Sequence, residues 1–161
     1  MNLRNLFEMQ AELDRFIQSN RGVEEDVFRK KSLALLVELA ELANETRCFK
    51  FWSIKGPSER HVLLEEYVDS IHFLLSLGIE KDLDMLEIWP SAVNHSDLTE
   101  LFLGTQEKIL KFLDNRSMSA YQEVWSWYGG IAAALGFSYE EVLEAYLAKN
   151  EENYRRQKEG Y

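Results

Sequence analysis

Four acids in two pairs have the residue types and spacing for chemistry: Glu38 and Glu41 in LALLVELAELA, and Glu66 and Asp69 in VLLEEYVDSIHFLL. Each pair is spaced i,i+3, so on a helix both members project from one face. Their neighbours are almost wholly apolar, the mark of helices buried in a bundle. Buried carboxylates are costly unless paired or metal-bound. Two like charges ~4 Å apart repel by about 4 kcal/mol at an effective dielectric of ~20. A cluster of four therefore calls for protons or a multivalent cation. Carboxylate oxygens suit hard ions, so Mg²⁺, or Mn²⁺ in its place, is the metal expected at Glu38, Glu41, Glu66 and Asp69. A proton-sharing structural cluster is the competing reading. Glu65 points about 100° away from Glu66 on a helix and is left outside the cluster; Glu45, one turn beyond Glu41, is read as solvated or as an outer ligand.

A second chemistry competes for the same helices. Bundle di-iron proteins use paired Glu-x-x-His motifs, and Asp69-x-x-His72 imitates one half. The other half is missing, because Asn44 stands where the second histidine would be needed. Farther along, Lys149, Asn150, Asn153, Arg155, Arg156 and Lys158 make the densest run of cations and amides in an acidic chain. Such groups suit phosphate: Arg as a planar fork, Lys as a point charge, Asn as a donor. The plainer reading is a solvated terminus pairing with Glu151, Glu152 and Glu159.

These residues need helices to position them. Both prolines, Pro57 and Pro90, fall between periodic segments, and strand-like alternation is absent. The expectation is an all-α bundle of about six helices forming one domain over residues 1–161. The first helix is expected over about Leu3 to Gln18, with Gln10 and Asp14 on its apolar face, and the second over about Glu24 to Arg47. A connector, CFKFWSIKGPSE, carries Trp52 between Lys50 and Lys55. Ser58 is the expected N-cap of the third helix, which ends near Gly78. Positions 80–95 read as irregular or as holding a short helix, with turn signals at Trp89-Pro90-Ser91. The fourth helix spans about Asp97 to Leu113. Capping boxes at Ser119/Gln122 and Ser138/Glu141 open the fifth and sixth, and Gly129-Gly130 implies a kink or close helix packing.

Composition sets the outer limits. The formal charge of −10 over 161 residues argues against binding nucleic acid through a basic surface. It is compatible with a small polyanion whose charge is met by metal ions. Cys48 is the only cysteine, so a reducing, cytoplasmic setting is expected. The N-terminal stretch lacks the apolar core of a signal peptide, and no uncharged run is long enough to span a membrane.

Taken together, the motifs resemble those of the dimeric dUTPases of the all-α NTP pyrophosphatase superfamily. The matching residues are Gln10-x-x-Leu13-Asp14, Glu38-Leu-Ala-Glu41-x-x-Asn44-Glu45 and Lys50-x-Trp52. Glu66-x-x-Asp69-x-x-His72-Phe73 and Lys149-Asn150-x-x-Asn153-x-x-Arg156-Gln157-x-x-Gly160-Tyr161 complete the set. Residues 80–135 contribute nothing to it.

The resemblance implies hydrolysis of dUTP, and of dUDP, to dUMP on Mg²⁺ held by Glu38, Glu41, Glu66 and Asp69. Glu41 becomes the candidate for orienting or deprotonating the water, with Lys149 and Arg156 stabilising the departing phosphates. The resemblance also implies phosphate contacts from Lys149, Asn153, Arg156 and Tyr161, and uracil recognition by Gln10. Trp52 would help build the base pocket, and Phe73 would pack on the deoxyribose. A homodimer with sites lined by both subunits is implied as well. Asp14 departs from the Asn common in the family, and the chain stops directly after Gly160-Tyr161. Two other functions fit the residues: a house-cleaning pyrophosphatase for another nucleotide, and a non-enzymatic acidic dimer anchored by Trp125 and Trp127.

Overall fold

The apolar, weakly amphipathic stretch from Arg60 to Ile79 can bury itself only at the centre of a bundle, and it does. In the computed structural model, which describes residues 2–160, six helices follow in order: α1 (Arg4–Arg21), α2 (Phe28–Thr46), α3 (Arg60–Ile79), α4 (Leu98–Asn115), α5 (Met118–Leu135) and α6 (Tyr139–Lys158). Helix α3 packs against α1, α2 and α6, while α4 pairs with α5 and also touches α2. Tyr67, Ile71, Leu74, Leu75 and Leu77 of α3 are fully buried in the core. Among the described residues the only strand-like feature is an isolated bridge between Asn2 and Ile88.

Helix ends follow local chemistry. Gly22 and Gly136 close α1 and α5 in the left-handed region, at φ 61° and 68°. The Ser138/Glu141 capping box forms as expected, and Glu141 also receives Arg60 at 2.8 Å. Three expected starts shift. Helix α2 begins at Phe28 rather than Glu24, because the Asp26 carboxylate accepts the Phe28 N–H at 2.9 Å and fixes a turn there. Ser58 does not cap α3; its hydroxyl turns to Glu45 of α2, and Glu59 holds the N-cap position. Ser117, not Ser119, caps α5 by accepting the Ala120 N–H at 3.2 Å.

Helix α5 runs unbroken through Gly129-Gly130. The two glycines instead make room for the irregular segment before α4. A Cβ on Gly130 would lie 2.6 Å from Val93 Cγ2, and the Val93 N–H donates to the Ser126 carbonyl at 3.0 Å. Trp125 is fully buried and Trp127 half-buried, so both belong to the packing between α4, α5 and that segment. Full burial withdraws Trp125 from any interface role.

Candidate active site

Helices α2 and α3, the most extensively packed pair, bring the acids together. Glu38, Glu66 and Asp69 each offer a carboxylate oxygen within 4.8 Å of the other two. Glu41, one turn along α2, is exposed at the rim and hydrogen-bonds the Glu38 carboxyl. Burial is the main force on this group. It pushes the Glu38 carboxyl from 4.5 up to about 7, with Asp69, Glu41 and Glu66 adding repulsion. Glu66 is raised by burial and then by Asp69 and Glu41. Burial also raises Asp69, against the pull of Lys149.

Helix α6 supplies the counter-charge. The buried Lys149 ammonium lies 2.8 Å from both Glu65 Oε1 and Asp69 Oδ2. Burial works against its charge, yet the two carboxylates hold it well above its ordinary value. One turn farther, Glu152 receives Arg156 at 2.6 Å.

From the acids a cavity of about 460 Å³ runs between α1, α3 and α6. Glu38, Asp69, Lys149, Asn153 and Arg156 line one part, and Phe73 lines it as well. Gln10, Asp14, Lys31, His72 and Ser76 supply further polar groups. A larger hollow of about 800 Å³ lies by Trp89 and Trp127. Its only charged pair is Lys108 with Glu123 at 3.2 Å, so it lacks convergent chemistry.

Three hydrogen bonds hold the Gln10 amide. Its Oε1 accepts from Tyr146 Oη at 3.0 Å and from His72 Nδ1 at 2.7 Å, and its Nε2 donates to Asp14 Oδ1 at 2.8 Å. Because Oε1 can only accept, the His72 proton sits on Nδ1 and Nε2 keeps a lone pair. Burial holds that imidazole neutral, depressing its pKa from 6.5 to about 3. Tyr146 stacks on His72 with ring centroids 4.1 Å apart.

The acids, cations and cavity thus assemble from the segments that carried the sequence motifs. A family model described as dUTPase matches residues 2–161. The chain belongs to the dUTPase family. No curated protein matches it. As a family member the dUTPase is a dUTP diphosphatase, an all-α enzyme of nucleotide metabolism that hydrolyses dUTP. The residues fit a divalent metal, because three hard oxygen donors converge in a partly buried space with repulsion to relieve.

The expected site residues do not all meet in this chain. Trp52 is 65% exposed and absent from the cavity lining; it packs edge-on against Phe51 at 5.0 Å. Tyr161 lies outside the described residues. His72 joins Gln10 instead of the acids, and among the described residues the metal-capable group contains no histidine, which removes the di-iron alternative.

Sequence reasoning missed four participants. Helical geometry turns Glu65 away from Glu66, and that direction takes it to Lys149. Lys31, Ser76 and Tyr146 carry no motif signal; their roles depend on contacts between residues far apart in the chain. Only Lys31, a cation beside an apolar helix run, carried a faint hint.

Proposed function

We propose that the enzyme hydrolyses dUTP, and dUDP as well, to dUMP with Mg²⁺ held by Glu38, Glu41, Glu66 and Asp69. The observation that carries this reading is the carboxylate trio within 4.8 Å, with Glu41 adjoining it. Mn²⁺ satisfies the same donors. Mg²⁺ bound there would neutralise phosphate charge and lower the pKa of a bound water.

The chain's own residues do the rest. Glu41, at the exposed rim, is the candidate for orienting or deprotonating the attacking water. Lys149, Asn153 and Arg156 line the same cavity and bind the phosphates, the two cations stabilising charge on the leaving group. Phe73 packs on the deoxyribose, leaving no room for a ribose hydroxyl. Gln10 reads the base, and Tyr161 adds a phosphate contact.

The working form is a homodimer in the cytoplasm. Leu33 and Val37 of α2 and Leu103 and Leu110 of α4 are exposed apolar side chains on helices that pack together. Trp52, Phe51 and Ile54 extend the exposed apolar surface along the connector. A second copy covering this face would bury it and bring Trp52 to the partner's base pocket. Among the described residues no helix is long and apolar enough to cross a membrane.

The test is nucleoside monophosphate formation from dUTP in Mg²⁺, in Mn²⁺ and in chelator, with dCTP and dTTP alongside (each releasing pyrophosphate) and dUDP (releasing orthophosphate). Turnover of dUTP that persists in chelator would refute the metal assignment. Equal turnover of the three triphosphates would favour a house-cleaning role. Sedimentation at micromolar concentration reads the dimer.

A further inference from the structure

The phosphate end of the cavity carries an anion of its own. Lys149 and Arg156 stand about two turns apart on α6, and both line the cavity. Glu152 lies between them at i,i+3 from the lysine and i,i+4 from the arginine, so all three side chains share a face. One Glu152 oxygen receives Arg156 at 2.6 Å, and the other lies 3.7 Å from the Lys149 ammonium. Arg155 approaches the first oxygen at 4.0 Å, but its side chain is 64% exposed and reaches Glu159 as well.

Two features separate this contact from an ordinary surface pair. The Glu152 side chain is only 28% exposed. Lys149, moreover, has counter-charge without it, because Glu65 and Asp69 each hold its ammonium at 2.8 Å. Glu65, Asp69 and Glu152 therefore set three negative charges against the two positive charges of Lys149 and Arg156. A polyanion entering the cavity meets an excess of carboxylate beside the cations that would bind it. Glu152 does not line the cavity. It competes through its charge and its hold on the guanidinium, not by filling the space.

We propose that Glu152 is an internal competitor for the phosphate tail, occupying Lys149 and Arg156 in the resting site and reclaiming them as pyrophosphate leaves. This role rests on the proposed phosphate binding by those two cations. An arginine fork and a lysine ammonium converging on pyrophosphate hold it by charge-assisted hydrogen bonds. A carboxylate on the same helix offers both cations a replacement partner with no movement of the backbone. Only ion pairs are exchanged, and the inorganic product is held loosely. Mg²⁺ at the acids would answer the charge of Asp69, whereas Glu152 stands outside the metal-capable group and keeps its own.

The experiment is calorimetric titration of the full chain with inorganic pyrophosphate at saturating Mg²⁺. Glu152→Gln keeps an amide oxygen to accept from Arg156 and removes only the charge. Glu151→Gln removes the same charge one residue away, from an exposed side chain, and controls for the overall field. Glu152→Gln binds pyrophosphate about fivefold more tightly than wild type, the upper end for a partly exposed ion pair. Pyrophosphate also inhibits its dUMP formation from dUTP at about fivefold lower concentration. Glu151→Gln stays within about twofold of wild type. Equal affinity in Glu152→Gln and wild type, weaker binding by the variant, or equal gains in both variants overturn the competitor role and leave the phosphate placement standing. No pyrophosphate binding by wild type or either variant overturns the phosphate placement, and the competitor role with it.

Discussion

Replacing Glu38 with Gln removes the most strained charge in the acid cluster. Its carboxyl moves from 4.5 to about 7 on folding. The folded state thus keeps a proton that the unfolded chain releases. The resulting stability is fully present below pH 4.5 and is lost as pH rises through about 7. At about 1.4 kcal/mol per pH unit, a fully buried group would lose about 3 kcal/mol. Glu38 is half-buried, and solvent screening brings that to about 1–2 kcal/mol. Glu66 and Asp69 are raised too, so their contributions share this sign. His72 has the opposite sign, because its depressed pKa costs stability as pH falls below 6.5. Subtracting the Glu38→Gln curve from wild type cancels His72. Urea unfolding in chelator at pH 5, 6.5 and 8 should show the variant near wild type at pH 5 and about 1–2 kcal/mol more stable at pH 8. Mg²⁺ should narrow or reverse that gap, by stabilising wild type more than the variant. A gap that stays flat with pH, or a variant less stable at pH 8, would refute the account of the cluster.

Four further outcomes follow from particular contacts. Lys149→Met strands Asp69 and Glu65 beside each other and should cost about 3 kcal/mol in chelator, read by guanidinium unfolding. Tyr146→Phe removes one of the two donors to Gln10 Oε1, costing about 1 kcal/mol of stability and raising KM for dUTP more than it lowers kcat. Gly104→Ala drives a methyl into the Trp127 ring at the α4–α5 contact; about 1–3 kcal/mol of destabilisation is expected from overpacking, seen as a lowered Tm. Trp52→Ala should leave Tm unchanged, because the side chain is largely exposed, yet lower kcat/KM for dUTP if the indole serves the partner's pocket.

Helix content and order were legible because each apolar run carries its own period and its own stop. Of the four acids expected to cluster, Glu38, Glu66 and Asp69 converge, legible because carboxylates are conspicuous inside such runs, whereas Glu41 stays outside that group at the exposed rim. What the sequence concealed was competition between partners. Ser58 and Ser119 look like N-caps, but Glu45 takes one hydroxyl and Ser117 pre-empts the other. Asp69-x-x-His72 looks like a metal half-site until Gln10, far away in sequence, claims the imidazole. Glu65 seemed irrelevant because helical geometry turns it from Glu66, yet the same geometry aims it at Lys149. Trp52 shows the reverse limit, since its motif is readable but its place outside the cavity is not.

Lys149, held between Glu65 and Asp69, also bears on the order in which ligands arrive. On the proposed metal site, a divalent ion bound at Asp69 would compete with this ammonium for the carboxylate. Freed from Asp69, the ammonium would keep Glu65 and Glu152 within reach and could turn towards a nucleotide's phosphate tail. Metal and triphosphate would then assist one another through a single side chain, each tightening the other's binding by the same factor.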